Sequence, residues 1–441
     1  MSPFEWWESL SLLIGLAIGL MFLGAPVAFA FFGANLVGAW IFFGGQPGLI
    51  QTGRNVWDAV GTFALAPVAL FLLMGEVMFH TGLATRAIDA IDRLFLRVPG
   101  RLALVAVTAG TTFSALSGST MANTAILGST LMPEMGRRGY HWSMTMGPIL
   151  GTGGIAMLIP PSGLAIILGS LSGISIAGLL LAGIVPGVLM AITHFSYVMI
   201  RCRLNPALAP SYDVPDMTAW ERWRPFLVDV VPLMSLFILV VGSILAGYAT
   251  PSESAALGAV GAVALAAAYG VLSFANLHRS LVEAGRIAVM LLFILGASLT
   301  FSQVLAFSGA TQGLLMQMTL LDPSPTVLLA AMLGIVLLLG CFMDPLSIML
   351  ICLPFFVPLA QTAGFELVWF GVLILLALEI GQTTPPFGVL LFVMKAVAPR
   401  GTTMKMVYAS VLPFIALEAL LLLALAAFPE IVSWLPELLR R

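Results

Sequence analysis

The chain has 441 residues, of which 60% are apolar and only 9% charged, with mean hydropathy +1.08 and a formal net charge of −2. A soluble domain carries about a quarter charged residues, so this composition excludes a water-soluble protein and makes lipid the solvent for most of the chain. No basic stripe exists to neutralise phosphates, which excludes nucleic acid as a partner; the three cysteines and four histidines lack metal-ligand spacing and read as packing or interfacial residues.

The first apolar run (9–23) follows Glu5 and Glu8, where a secretion signal would carry positive charge, and continues through Pro26 into a second run (26–45). Both are expected to be retained membrane helices. Runs long enough to cross, roughly 17–25 residues each, follow at 63–81, 142–170, 177–200, 226–247, 251–272, 285–307, 366–397 and 404–428. Segments 85–96 and 274–284 are amphipathic with mixed charge, and are expected as interfacial helices on the cytoplasmic face. Stretches 101–136 and 324–361 differ, each having room for two short helices around a polar, helix-breaking centre: Ser117-Gly118-Ser119 and Asp344-Pro345. That pattern predicts re-entrant hairpins. With both hairpins returning to their own side, fifteen of the eighteen Lys and Arg fall on one face, and Arg54, Arg440 and Arg441 on the other. The rich face is then cytoplasmic, which puts both termini outside. The expected fold is an all-α polytopic membrane protein with about ten transmembrane helices plus two re-entrant helical hairpins.

A shift of 225 residues superposes the special positions of the two halves. Pro26 meets Pro251, Gly33 meets Gly258, Arg54 meets Arg279, Pro133 meets Pro358, Gly139 meets Gly364, Pro160-Pro161 meets Pro385-Pro386, and Gly163 meets Gly388. The register slips near the third span, where Gly75 better matches Gly296. The expected organisation is a first repeat over 1–215 (hairpin 101–136, broken helix 142–170) and a second over 226–441 (hairpin 324–361, broken helix 366–397). A cytoplasmic linker over 201–225 joins them. Each half has an odd number of crossings, so the second is inverted relative to the first, the architecture of secondary transporters, and the hairpin tips approach each other near the midplane.

Polar, backbone-breaking residues at membrane depth collect in four segments. They are Ser117-Gly118-Ser119-Thr120-Met121-Ala122-Asn123, Gly151-Thr152-Gly153-Gly154 leading to Ile159-Pro160-Pro161-Ser162-Gly163, Asp344-Pro345, and Glu379-Ile380-Gly381-Gln382-Thr383-Thr384-Pro385-Pro386. Twin prolines remove two amide donors and strand the carbonyls upstream, which in lipid must be buried or bound. A desolvated sodium ion is one good occupant, and helix N-termini at the tips would face an anionic group. Asp344 reads either as a cation ligand or as a cap bonding its own backbone. Ser117 and Ser162 read either as hydroxyl donors to a carboxylate or as glue between helices. Asn123 either touches ligand or braces its hairpin, and Glu379 is either a second acidic site or a buried, protonated packing residue. Glu76, Asp229 and Glu418 read as structural.

The stretch Ser117-Gly118-Ser119 through Pro133-Glu134-Met135-Gly136-Arg137-Arg138-Gly139-Tyr140 resembles the large membrane subunit of tripartite ATP-independent periplasmic (TRAP) transporters. So do Ile159-Pro160-Pro161-Ser162, Thr250-Pro251-Ser252-Glu253-Ser254-Ala255-Ala256 and Thr383-Thr384-Pro385-Pro386-Phe387-Gly388, the likeness running from about 9 to 428. The resemblance implies sodium-coupled uptake of a small organic acid into a bacterium through its cytoplasmic membrane, with elevator-type motion. It also implies two partners: a small four-helix membrane subunit, expected from a separate gene because no such segment is fused at the N-terminus, and a periplasmic substrate-binding protein. Carried over by residue, it places substrate against Ser117, Ser119, Asn123 and Ser162. It places sodium against Gly118, Gly153 and Pro160 in one half, and against Gly340, Asp344, Gly381, Thr383 and Thr384 in the other. A stand-alone sodium/carboxylate symporter of the same superfamily is the alternative. An intramembrane enzyme lacks a His-Glu-any-any-His run or paired histidines, and no Walker loop is present for ATP.

Overall fold

Many helices in this chain start where a side chain or a proline disposes of the first free amides, and many stop just before a left-handed glycine. The computed structural model describes residues 4–61, 66–95, 98–210 and 217–440; the side chains at 59, 60, 115–117, 439 and 440 lie outside that description. At Pro251–Ala268, Thr250 Oγ1 accepts from Glu253 N (3.3 Å) and the Glu253 carboxylate accepts from Thr250 N (2.7 Å), with Pro251 in the first turn. Gly139 and Gly364 both have φ 74° and turn the chain from hairpin to broken helix in the two halves. All regular structure among the described residues is helical.

Element boundaries recur at the offset read from the sequence. Thr120–Arg137 and Pro345–Thr362 start 225 apart (345 minus 120), as do the broken helices of the two halves, at Trp142 and Leu367. Trp6–Phe22 returns as Val231–Leu245, Val27–Phe42 as Pro251–Ala268, and Arg101–Ser117 as Pro325–Gly340. Gly163–Ser172 returns as Val389–Val397, and Ile176–Leu204 as Met404–Ala427.

Two sets of helices pack largely among themselves. An outer frame interleaves the halves: Ala66–His80 packs on Pro251–Ala268 and on Phe274–Phe307, which also packs on Val27–Phe42. Asn35 Nδ2 donates to Ala297 O (2.7 Å), Phe31 meets Phe301 edge-on at 4.8 Å, and Ser280 Oγ donates to Glu76 O (3.1 Å) across that seam. An inner body holds both hairpins, both broken helices and the two closing helices, Ile176–Leu204 and Met404–Ala427. The second broken helix is buried continuously from Trp369 to Thr383, so it is core rather than a lipid-facing span.

Six described helices are long and apolar enough to cross a membrane, or up to 8 if each of two bent pairs counts as one span, so length by itself neither reproduces nor overturns the ten crossings expected. One of the six, Pro345–Thr362, is the second arm of a hairpin, while Trp6–Phe22, Val27–Phe42 and Leu367–Thr383 fall short. At about 1.5 Å per residue, such short helices reach roughly 25 Å against a hydrocarbon core of about 30 Å, so length does not count crossings in this fold. Segment 274–284 is no separate interfacial helix: it continues unbroken into Phe274–Phe307, a single helix of 34 residues, because nothing between its charged end and its apolar body stops it. Its counterpart in the first half is Gln46–Val60, which the sequence reading missed. The helix Leu83–Asp92, expected as interfacial, leaves Ala66–His80 at a bend of 66°, and its own counterpart is Ala310–Leu321; the two follow left-handed Gly82 and Gly309. The helix Glu430–Arg440, also missed, packs on Ile176–Leu204.

Candidate transport site

The first hairpin turns at Gly118, whose φ of 61° is left-handed. A Cβ there would lie 2.5 Å from Pro161 O, so the tip rests directly on the proline break of the first broken helix. Glycine is required for both reasons. Ser119 then starts Thr120–Arg137, its Oγ accepting from Ala122 N (3.3 Å). Asn123 is fully buried, and its Nδ2 donates to Gly110 O (3.1 Å), Ser114 Oγ (2.6 Å) and Thr152 O (3.3 Å). It ties the two hairpin arms to the broken helix, which is the bracing role. Ser117 closes Arg101–Ser117, and its side chain lies outside the described part.

The first broken helix runs as Trp142–Gly153, Ile155–Leu158 and, past a 42° bend, Gly163–Ser172. Pro161 has no N–H to return to Met157 O, and the buried Ser162 replaces it: its hydroxyl donates to Met157 O (2.7 Å) and accepts from Ala165 N (3.2 Å). Thr124 Oγ1 is buried without a hydrogen-bond partner among the described residues, and lies 2.6 Å from where a Cβ at Gly153 would be.

The second half repeats this plan with different chemistry. Asp344, at the position equivalent to Ser119 (344 minus 119 is 225), caps Pro345–Thr362: its Oδ2 accepts from Leu346 N (3.0 Å) and Ser347 N (3.2 Å), and the Ser347 hydroxyl donates to Oδ1. The geometry is thus that of a cap. Gly340 and Gly381 cross backbone to backbone, a Cβ at Gly340 falling 2.5 Å from Gly381 Cα. Thr383 and Thr384 both turn their hydroxyls back on Ile380 O, at 3.0 and 2.6 Å. Pro386 cannot donate to Gln382 O, and among the described residues no hydroxyl substitutes, because Phe387 stands where the first half has Ser162. Both twin-proline peptide bonds, at Pro160 and Pro385, are cis.

The two broken helices meet at equivalent residues. Gln382 Nε2 lies 4.0 Å from Met157 Sδ, and these two stand 225 apart (382 minus 157). Glu379, 225 after Gly154, puts its carboxyl where a Cβ on Gly154 would be, 1.5 Å from its carboxyl carbon. Glu379 is fully buried and neither oxygen has a hydrogen-bond partner among the described residues. The sequence reading named Gly118, Gly153, Pro160, Ser162, Gly340, Asp344, Gly381, Thr383 and Thr384, and all fall on these two breaks and their hairpins. It placed Gly154 and Gln382 in these polar segments without giving them a site role, although the 225-residue offset pairs each with its partner, and it did not single out Thr124.

Comparison with known proteins matches residues 14–431 to the family model "Tripartite ATP-independent periplasmic transporter, DctM component". The C4-dicarboxylate TRAP transporter large permease protein DctM of Pseudomonas aeruginosa is 30% identical over 85% of this chain and 86% of its own length. The ectoine TRAP transporter large permease protein TeaC of Halomonas elongata is 29% identical over 97% of this chain and 99% of its own. Among solved structures, the YdaH transporter of Alcanivorax borkumensis shares the fold, with a TM-score of 0.61 at 16% identity, covering 88% of this chain and 90% of that one. A match over nearly the whole length places the chain in the DctM family of TRAP transporters, as a multi-pass membrane subunit of a transporter rather than an enzyme.

Proposed function

We propose that this chain is the permease through which sodium ions drive uptake of a small organic acid across the bacterial cytoplasmic membrane. A periplasmic binding protein delivers the substrate, and a small four-helix membrane subunit accompanies the permease. One observation carries this reading: two proline-broken helices meet at equivalent residues, each roofed by a hairpin whose second arm starts at a capped N-terminus. Inverted repeats meeting at discontinuous helices are how secondary transporters hold ions and anions at mid-membrane.

Two cation sites follow. The first lies at Gly118, Gly153 and Pro160 and gains the unpartnered Thr124 hydroxyl; the second lies at Gly340, Asp344, Gly381, Thr383 and Thr384 and gains Gln382 O. Substrate carboxylate is received at the first tip and break, by Ser117, Ser119 and Ser162 and by the helix N-termini that Ser119 and Ser162 start, while Asn123 holds the tip in place. The relatives are named for C4-dicarboxylate and for ectoine, so the family alone does not choose the substrate. Inner body and frame pack mainly within themselves, which suits elevator motion of one past the other, with both termini outside.

The test is uptake into proteoliposomes holding the chain with its small subunit, supplied with loaded binding protein. An inward sodium gradient should drive accumulation. Equal accumulation when potassium replaces sodium overturns the coupling.

A further inference from the structure

His194 and Glu418 lie outside the site above. They sit where the closing helices of the two halves cross, at nearly equivalent positions (418 minus 194 is 224), with His194 Nε2 3.5 Å from Glu418 Oε1 and both side chains at most 1% exposed. None of their four polar side-chain atoms has a hydrogen-bond partner among the described residues. No third His, Cys, Asp or Glu completes a metal-binding group there among the described residues.

We propose that His194 and Glu418 form a proton site that exchanges its proton as the cation sites fill and empty. An isolated carboxylate in a dry interior is prohibitively costly, so the buried pair is electroneutral, either as carboxylic acid with imidazole or as carboxylate with imidazolium. Both forms hold one proton more than a hydrated glutamate beside a neutral histidine. Admitting water or opening the pair releases that proton, and closing it takes one up.

Phe414 links the pair to the cation site. Its ring packs edge-on to His194 at 5.1 Å, and its other side fills the notches at Gly147 and Gly151, where added Cβ atoms would lie 2.7 and 2.4 Å from it. A shift of Trp142–Gly153 on cation loading therefore presses on His194 through one ring. Neighbouring titratable groups are engaged elsewhere: Cys202 is against Gly100, Tyr408 donates to Pro386 O, Lys395 to Thr402 O, and Arg101 pairs with Asp92. Tyr197 packs on Phe414 with Arg201 beside it, and Lys405, Glu366, Glu430 and Glu437 stand at helix ends. Across the helices, the charge of Glu379 acts on Glu418, and Glu379 lies against Gly154.

The test is a weakly buffered solution of the purified complex with a pH-sensitive dye, to which sodium chloride or choline chloride is added. Sodium alone should move about one proton per chain, a coupling that is reciprocal by linkage, and Glu418→Gln and His194→Gln should each abolish it. No proton movement in the wild type overturns the proposal without any variant having to fold. Movement of undiminished size in both variants overturns it too. The proposal rests on sodium coupling: sodium-driven uptake without proton movement defeats this inference alone, whereas absence of sodium-driven uptake defeats the transport reading.

Discussion

Gly118 carries two constraints, a left-handed backbone and contact with Pro161 O, so the smallest substitution tests the tip. Gly118→Ala costs about 1–2 kcal/mol from the backbone alone, and its methyl group must also push the hairpin off the break. Lower thermal stability of the purified protein and strongly reduced uptake are expected. Gly136→Ala, exposed in a helix with nothing within 4 Å, should leave both unchanged or gain slightly. Uptake of G118A at the level of G136A would remove the tip contact from the mechanism. Asp344 is separable in the same way. Asparagine caps a helix about as well as aspartate, so Asp344→Asn keeps the amides of Leu346 and Ser347 satisfied while removing the charge. Sodium-driven uptake should vanish while the protein remains folded in the membrane. Full uptake with an unchanged sodium dependence would leave Asp344 a cap and nothing more.

At the scale of elements, the two proline breaks differ by one hydroxyl. Ser162→Ala strands Met157 O in the dry interior, a loss of about 1–3 kcal/mol. The reverse change, Phe387→Ser, offers Gln382 O the donor that Ser162 gives Met157, and a carbonyl so engaged coordinates a cation poorly. F387S should therefore raise the sodium concentration needed for half-maximal uptake without lowering thermal stability. An unchanged sodium dependence would take Gln382 O out of the second cation site. Much of this was legible beforehand, because glycine and proline at membrane depth have few uses: tips, breaks and their spacing follow from Ser117-Gly118-Ser119, Asp344-Pro345 and the twin prolines. Less was legible where helices pass through charge. Nothing in 274–284 marks whether its polar turns end a helix or continue into Phe274–Phe307. The same ambiguity hid Gln46–Val60, whose apolar face emerges only beside Phe274–Phe307. Side-chain partnerships such as Glu379 against Gly154, or His194 with Glu418, depend on which helices cross. Periodicity within one helix does not encode that.

At the scale of the whole molecule, the question is whether the inner body slides past the frame. The helix Leu83–Asp92, which leaves the frame helix Ala66–His80 at 66°, packs on the first hairpin arm, Arg101–Ser117. Ala87 and Ala109 both line a small gap there, whose other walls are Ala84, Ile88, Ile91 and Phe113 with Thr112 the one polar side chain among them. Small side chains across a dry seam suit sliding, since little interlocks. If the body moves as a unit, joining Ala87→Cys to Ala109→Cys with a short reducible crosslinker should stop uptake, and reductant should restore it. A crosslink confined to the frame, between Met74→Cys and Gly258→Cys, whose parent residues touch, should leave uptake intact. Of the native thiols, Cys202 and Cys352 are buried and compete poorly, and the half-buried Cys341 is replaced by serine in the background. Full uptake with the body tied to the frame would mean that substrate crosses by local hairpin opening, with the two helix sets fixed against each other.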